Sequence, residues 1–282
     1  MLDPELTADW EALRAAVAPL GSAAVAFSGG ADSALVLRAC IEFLPAGRAV
    51  AVTGRSESLK PDELERARAL AADLGVPHEV VDTREMDDPA YRANGVDRCG
   101  RCKTELYARV GERARALGLA AIVDGLNADD RLEERPGARA AAAAGVRSPL
   151  REAGLGKARV RALSRALALP TWDKPAEPCL SSRIPFGTEV TPERLAQVRL
   201  AEEALARLGF PVHRVRHHGA AARVEVPAED LARALEPATR RALVEGVKAA
   251  GFAFVSLDLE GFRSGSAHEA LRPSASSRSP SP

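Results

Sequence analysis

The sequence predicts an α/β protein, a parallel sheet covered on both faces and followed by a smaller α+β domain. Three observations carry this. Over the first 170 residues, short apolar runs alternate with helical stretches, the rhythm of βαβ units. Five prolines then crowd into Pro170–Pro192, where regular structure cannot continue. Beyond them the periodicity reads helix, two paired strands, helices and a last strand.

The elements follow in order. Ala23–Phe27 is a wholly apolar run and reads as the first buried strand, with Ala34–Phe43 as the helix after it. Arg48–Val52 is the next strand, Pro61–Leu74 a helix opened by proline, and His78–Val81 a third strand. Lys103–Leu117 is helical and Ala120–Val123 a fourth strand. The Ala-, Gly- and Pro-rich stretch Arg135–Leu150 reads as a loop with a helical turn. In the second part, Glu193–Leu208 is a helix, and His213–Arg216 and Ala222–Val226 are paired strands. Glu229–Leu235 and Arg240–Ala250 are helices, and Phe252–Leu257 is the final strand. The expected boundaries are a nucleotide-type domain at 1–170, a Pro-rich loop at 171–192 and a small α+β domain for substrate binding or oligomerisation at 193–263. The Ser/Pro-rich residues 264–282 are expected to be disordered.

Composition narrows the function classes. Hydrophobic residues make up 46% of the 282, but only 4% are aromatic and about a fifth are alanine, so the core is built from Leu, Val and Ala. No apolar run approaches the ~20 residues of a membrane span. The opening MLDPELTADWEALRAAV lacks the basic and apolar regions of a secretory signal. A cytoplasmic homo-oligomer is expected. Lys+Arg and Asp+Glu balance at 39 each, which argues against a nucleic-acid partner. Four cysteines in such a chain read as ligands, nucleophiles or core residues rather than disulfides.

The strongest local signal is Ser28-Gly29-Gly30-Ala31-Asp32-Ser33, between the first strand and its helix. Ligands of open α/β sheets bind at the carboxyl ends of the strands. Two glycines let the backbone approach an anion, and the helix N-terminus offers unpaired N–H groups. Ser28 and Ser33 add hydroxyls, and Asp32 is placed to cap the helix or hold Mg²⁺. No lysine follows as in GxxxxGK[ST], and GxGxxG is absent. The turn resembles the PP-loop of ATP pyrophosphatases, which cut ATP between the α- and β-phosphates.

Three further stretches narrow the resemblance. Asp124-Gly125-Leu126-Asn127-Ala128-Asp129-Asp130 follows a strand and leads to Arg135-Pro136-Gly137 and Ser148-Pro149-Leu150. Gly125, Asn127 and Asp129 join the nucleotide candidates, since carboxylates facing a phosphate turn suit Mg²⁺ held through the nucleotide. Thr53 and Ser56, after the second strand, are candidates for the adenosine. Arg98-Cys99-Gly100-Arg101-Cys102-Lys103 brings a CxxC pair, which alone is ambiguous among zinc, iron–sulfur, redox chemistry and no function. Pro178-Cys179-Leu180-Ser181-Ser182-Arg183 lies in the Pro-rich loop, and Cys40 in an apolar helix reads as core. Arg214 and Arg216 alternate on one strand, so both guanidiniums leave the same face, a geometry suited to phosphate.

The order SGGxDS, RCxxCK, DGxNxDD, RPG, SPL, PCLxSRIPFG, with RVR and ARVEV downstream, resembles the LarE family over residues 10–260. The resemblance implies a Rossmann-like PP-loop fold and an ATP- and Mg²⁺-dependent sulfur transferase. It implies adenylation of a carboxylate of pyridinium-3,5-biscarboxylic acid mononucleotide, then conversion to a thiocarboxylate for nickel-pincer cofactor synthesis. One branch sacrifices a single cysteine, here Cys179, which becomes dehydroalanine. Another carries a 4Fe–4S cluster on three cysteines, here Cys99, Cys102 and Cys179. The resemblance further implies catalytic roles for Asp32, Lys103, Cys179 and Arg183, substrate-phosphate binding by Arg214 and Arg216, and metal-binding carboxylates at Glu202 and Glu225. The alternatives are a tRNA-thiolating enzyme, for which an added basic surface is absent, and a non-enzymatic nucleotide-binding regulator.

Overall fold

A computed structural model describes residues 2–130, 136–175 and 177–263. The chain divides into two compact units, Met1–Pro178 and Cys179–Pro282. The expected tail at 264–282 and Arg135 of the RPG stretch lie outside the described residues.

The first unit opens with α1 (Pro4–Val17), absent from the expected elements. Asp3 caps it by accepting from the Leu6 N–H at 2.8 Å, and Pro4 supplies the first helical position. Then come β1 (Ala23–Ala26), α2 (Ala31–Phe43), β2 (Ala49–Arg55), α3 (Pro61–Asp73), β3 (His78–Asp82), the single turn α4 (Pro89–Arg92), α5 (Arg98–Ala116) and β4 (Ala121–Val123). The short helices α6 (Pro136–Ala143) and α7 (Pro149–Glu152) replace the loop expected over Arg135–Leu150, and α8 (Lys157–Ala166) closes the unit. The sheet runs β3-β2-β1-β4, all parallel, with Val25 opposite both Ala51 and Val123. Leu35, Val36 and Leu37 of α2 and Val160 and Leu163 of α8 are fully buried in one core with Val25. On the opposite sheet face, Val110 and Ala114 of α5 pack with Ala24, Val50 and Val52. The α/β architecture read from the sequence is thus the one observed, a sheet covered on both faces.

The second unit contains α9 (Pro192–Arg207), β5 (Arg214–His218), β6 (Ala221–Glu225), α10 (Leu231–Leu235), α11 (Pro237–Ala249) and β7 (Phe254–Leu257). β5 pairs antiparallel with β6, and β7 adds parallel on its other side. The Pro-rich stretch contains only a short 3-10 turn at Leu180–Arg183. Its first part, through Pro178, belongs to the first unit. No helix among the described residues is long and apolar enough to cross a membrane.

Candidate active site

The phosphate turn sits where β1 ends. Gly29 has φ +67°, a left-handed conformation that side chains other than glycine rarely adopt, and a Cβ there would meet Ala67 of α3 at 3.1 Å. Gly30 caps α2. Hydroxyls of Ser28 and Ser33 lie 3.1 Å apart, and the Ser33 hydroxyl also donates to the Gly30 carbonyl at 3.2 Å. These bonds hold the turn open toward the helix N-terminus.

The segment after β4 completes the site. A Cβ on Gly125 would lie 2.9 Å from the Ser33 nitrogen, so glycine lets this strand end approach α2. The Asn127 amide donates to Asp32 Oδ1 at 3.3 Å. Asp32 Oδ2 receives the Lys157 ammonium from the start of α8. Asp124 is buried, accepting from the Tyr107 hydroxyl at 2.6 Å and the Ser148 hydroxyl at 2.8 Å. Burial and that carboxylate push the Tyr107 phenol up, keeping it a donor. Lys174 reaches the turn from the Pro-rich stretch, 3.4 Å from the Gly29 carbonyl and 2.7 Å from Glu63. Burial pulls the Glu63 carboxyl up, but hydrogen bonds from Lys174 and Arg66 outweigh it and hold the group below its ordinary range. A cleft of about 430 Å³ beside the turn is lined by Gly29, Arg66, Leu70, Thr171 and Lys174.

The turn, Gly125 and Asn127 thus lie together, whereas other candidates are placed differently. Thr53 is buried and its hydroxyl is used within the sheet, donating to the Phe27 carbonyl at 2.7 Å and lying 2.8 Å from His78 Nε2. Ser56 pairs with the Ser58 hydroxyl at 2.9 Å. Asp129 accepts from the Lys157 backbone N–H at 2.7 Å and so caps α8. Asp32 remains the carboxylate at the turn. Mg²⁺ carried by nucleotide phosphates asks for only one or two protein carboxylates, and Asp32 fits that need.

Cys99 and Cys102 lie within the first two turns of α5, not before the helix, and Gly100 between them lets Pro136 pack close, its would-be Cβ 2.9 Å from Pro136 Cβ. Cys99 and Cys179 are exposed, Cys102 half-buried and Cys40 buried. Burial pushes the Cys40 thiol up to about 12, so it is core, as expected. Three accessible thiols make a donor set suited to a soft metal. Cys99 and Cys102 belong to the first unit and Cys179 opens the second; among the described residues no group of three His, Cys, Asp or Glu side chains is placed to hold a metal ion. Arg101, between the two cysteines, is engaged by Asp97 at 2.8 Å and Asp88 at 3.3 Å. Lys103 stacks over the Tyr107 ring at 5.6 Å.

In the second unit, Arg183 is buried and holds Glu202 with two bonds of 2.8 and 3.2 Å. Arg216 grips Glu225 at 2.9 and 3.0 Å and donates to the Ser182 carbonyl at 3.1 Å. Glu202 and Glu225, expected as metal carboxylates, are ion-pair partners in this structure, and Arg183 is a buried brace. Arg214 shares the face of Arg216 on β5, donates to the His213 carbonyl at 2.6 Å and lies over the Phe262 ring at 5.1 Å. Lys157, Glu63 and Lys174 are the site groups the sequence reading did not place. Lys157 and Lys174, with Lys103, stood out in the sequence only as three of the five lysines among 39 basic residues, and nothing marked Glu63.

No family model matches the chain. It is 45% identical over 261 residues to an uncharacterised protein of Synechocystis sp., covering 93% of this chain and 97% of that one. It is 38% identical over 259 residues to the pyridinium-3,5-bisthiocarboxylic acid mononucleotide synthase of Lactiplantibacillus plantarum, covering 92% and 93%. A shorter match, 32% over 139 residues and 39% of the other protein, is to a tRNA(Ile)-lysidine synthase of Zymomonas mobilis, in keeping with a PP-loop domain. With the phosphate turn, the DGxNxDD strand end and the three accessible cysteines in place, the near-full-length match to the synthase shows that this chain belongs to the LarE family.

Proposed function

We propose that the protein is an ATP-dependent sulfur transferase acting on pyridinium-3,5-biscarboxylic acid mononucleotide in nickel-pincer cofactor synthesis. The observation that carries this is a glycine turn of phosphate-binding form at the end of β1, in a chain similar along nearly its whole length to the bisthiocarboxylic acid mononucleotide synthase. The turn from Ser28 to Ser33 and the start of α2 present N–H and hydroxyl donors to the pyrophosphate moiety. A substrate carboxylate oxygen attacks the α-phosphorus, and the bond to the bridging oxygen breaks with its electron pair leaving on pyrophosphate. The acyl-adenylate now carries AMP in place of a poor oxide leaving group. A sulfur nucleophile adds to the acyl carbon, the carbon–oxygen bond to AMP breaks, and the thiocarboxylate remains. Arg214 and Arg216, neighbours on one strand face, are the groups for the substrate's monophosphate.

Cys99, Cys102 and Cys179 handle the sulfur. A sacrificial route uses Cys179 alone, whereas an accessible CxxC at the head of α5 favours three-thiolate ligation of a 4Fe–4S cluster. Such a cluster, when bound, would supply an exogenous sulfide and permit repeated turnovers. The test is anaerobic turnover with ATP, Mg²⁺, sulfide and the mononucleotide, with product followed by mass spectrometry. Cys99→Ala, Cys102→Ala and Cys179→Ala are each expected to abolish multiple turnovers, and Cys40→Ala to retain them. Product limited to one sulfur per chain in the wild type, undiminished in Cys99→Ala and Cys102→Ala and matched by conversion of Cys179 to dehydroalanine, would establish the sacrificial route instead.

A further inference from the structure

The phosphate turn carries an acid and no base of its own. Asp32 stands in the first turn of α2, where an incoming pyrophosphate would meet its negative charge. Phosphate turns of the GxxxxGK[ST] form place a lysine directly after the glycines to answer the anion, and this turn lacks one. The fold returns a lysine to the same place from 125 residues downstream. Lys157 is the first residue of α8, and its backbone N–H is fixed by Asp129 Oδ2 at 2.7 Å. Its ammonium lies on Asp32 Oδ2, while Asn127 steadies the other oxygen at 3.3 Å.

Two features separate this contact from a structural ion pair. The side chains are 39% and 24% exposed, so solvent already screens the attraction and the pair can part cheaply. The backbone anchor leaves the four-carbon stem free to swing while α8 stays put. Lys174 differs in that its side chain is only 18% exposed and its ammonium is engaged by Glu63 and the Gly29 carbonyl.

Resting on the nucleotide reading above, we propose that Lys157 is the pyrophosphate-binding cation of this site, exchanging Asp32 for the β- and γ-phosphate oxygens when ATP binds. In the adenylation step the bridging oxygen takes the electron pair of the broken bond. Lys157 then offers a charge-assisted N–H to the departing pyrophosphate, with no proton transferred.

The experiment measures binding of inorganic pyrophosphate and of AMP by calorimetry, with metal chelated and again with Mg²⁺, in four full-length proteins. They are wild type, Lys157→Met, Lys157→Arg and the double variant Asp32→Asn/Lys157→Met. Lys157→Met is expected to weaken pyrophosphate binding by roughly 10- to 100-fold, the worth of one hydrogen bond to a charged group. AMP binding stays at the wild-type value, and Lys157→Arg recovers most of the loss. The double variant discriminates: if Lys157 merely neutralises Asp32, removing both charges restores pyrophosphate affinity, and the proposal is overturned. If Lys157 itself binds the anion, the double variant stays weak. Unchanged pyrophosphate affinity in Lys157→Met also overturns it. A wild-type protein that binds neither pyrophosphate nor AMP would instead remove the nucleotide reading on which the proposal rests.

Discussion

Charged pairs are used in opposite ways in the two units. In the parallel-sheet unit, Asp32 and Lys157 meet at a half-solvated turn, each able to find water or a ligand instead. In the small unit, the Arg183 and Glu202 side chains are 0% and 3% exposed. A buried pair costs desolvation and is held by complete hydrogen bonding, so losing one member strands the other. A half-exposed pair contributes little stability and leaves both charges available for function. The same residue types therefore brace one unit and equip the other.

The largest effect that would sharpen this contrast is Glu202→Ala, which strands the Arg183 guanidinium and the Val215 N–H that Glu202 accepts at 3.1 Å. It is expected to destabilise the small unit by about 3–5 kcal/mol, read as a lower denaturant midpoint. Next is Gly125→Ala, whose methyl would press on the Ser33 nitrogen. A cost of about 1–3 kcal/mol should accompany a loss of acceptor-dependent pyrophosphate release far larger than the stability change explains. Lys157→Met is expected to change unfolding free energy by less than about 1 kcal/mol, and a drop as large as that of Glu202→Ala would break the comparison. The smallest effect is one of pH. Burial, then repulsion from Arg194, lowers the His217 value, and burial, then Arg223, lowers that of His218. A depressed histidine binds fewer protons folded than unfolded, so its stabilisation is present above ~6.5 and lost as pH falls below it. Thermal midpoints should therefore decline on acidification through that range, and His217→Gln should flatten the decline.

Much of the fold was legible because its signals are local. Apolar runs gave the strands in order, and glycines with serines marked the phosphate turn. Two helix starts were read late, at Glu193 and Arg240, where Pro192 and Pro237 occupy the first helical position, although Pro61 was read as opening its helix. Cys99 and Cys102 were placed before the helix expected from Lys103 for a different reason, the polar RCGRCK run hiding the start of α5. What could not be read is pairing across long separations. Nothing local marks Lys157 as the lysine that returns to Asp32, nor Arg183 and Glu202 as a buried pair, because charges in an amphipathic sequence look like a solvated face. Thr53 illustrates the converse, a hydroxyl at an expected ligand position that the sheet itself consumes.

The account turns on adenylation of the substrate carboxylate at the turn beside Asp32. The most direct measurement supplies pyridinium-3,5-biscarboxylic acid mononucleotide with heavy oxygen in its carboxylates and follows the label through one anaerobic turnover with ATP. Attack of the carboxylate on the α-phosphorus, then displacement by sulfur, carries one labelled oxygen into the phosphate of AMP, with unlabelled pyrophosphate formed in equal amount. Label appearing in inorganic phosphate beside ADP, or AMP released without label, would contradict it.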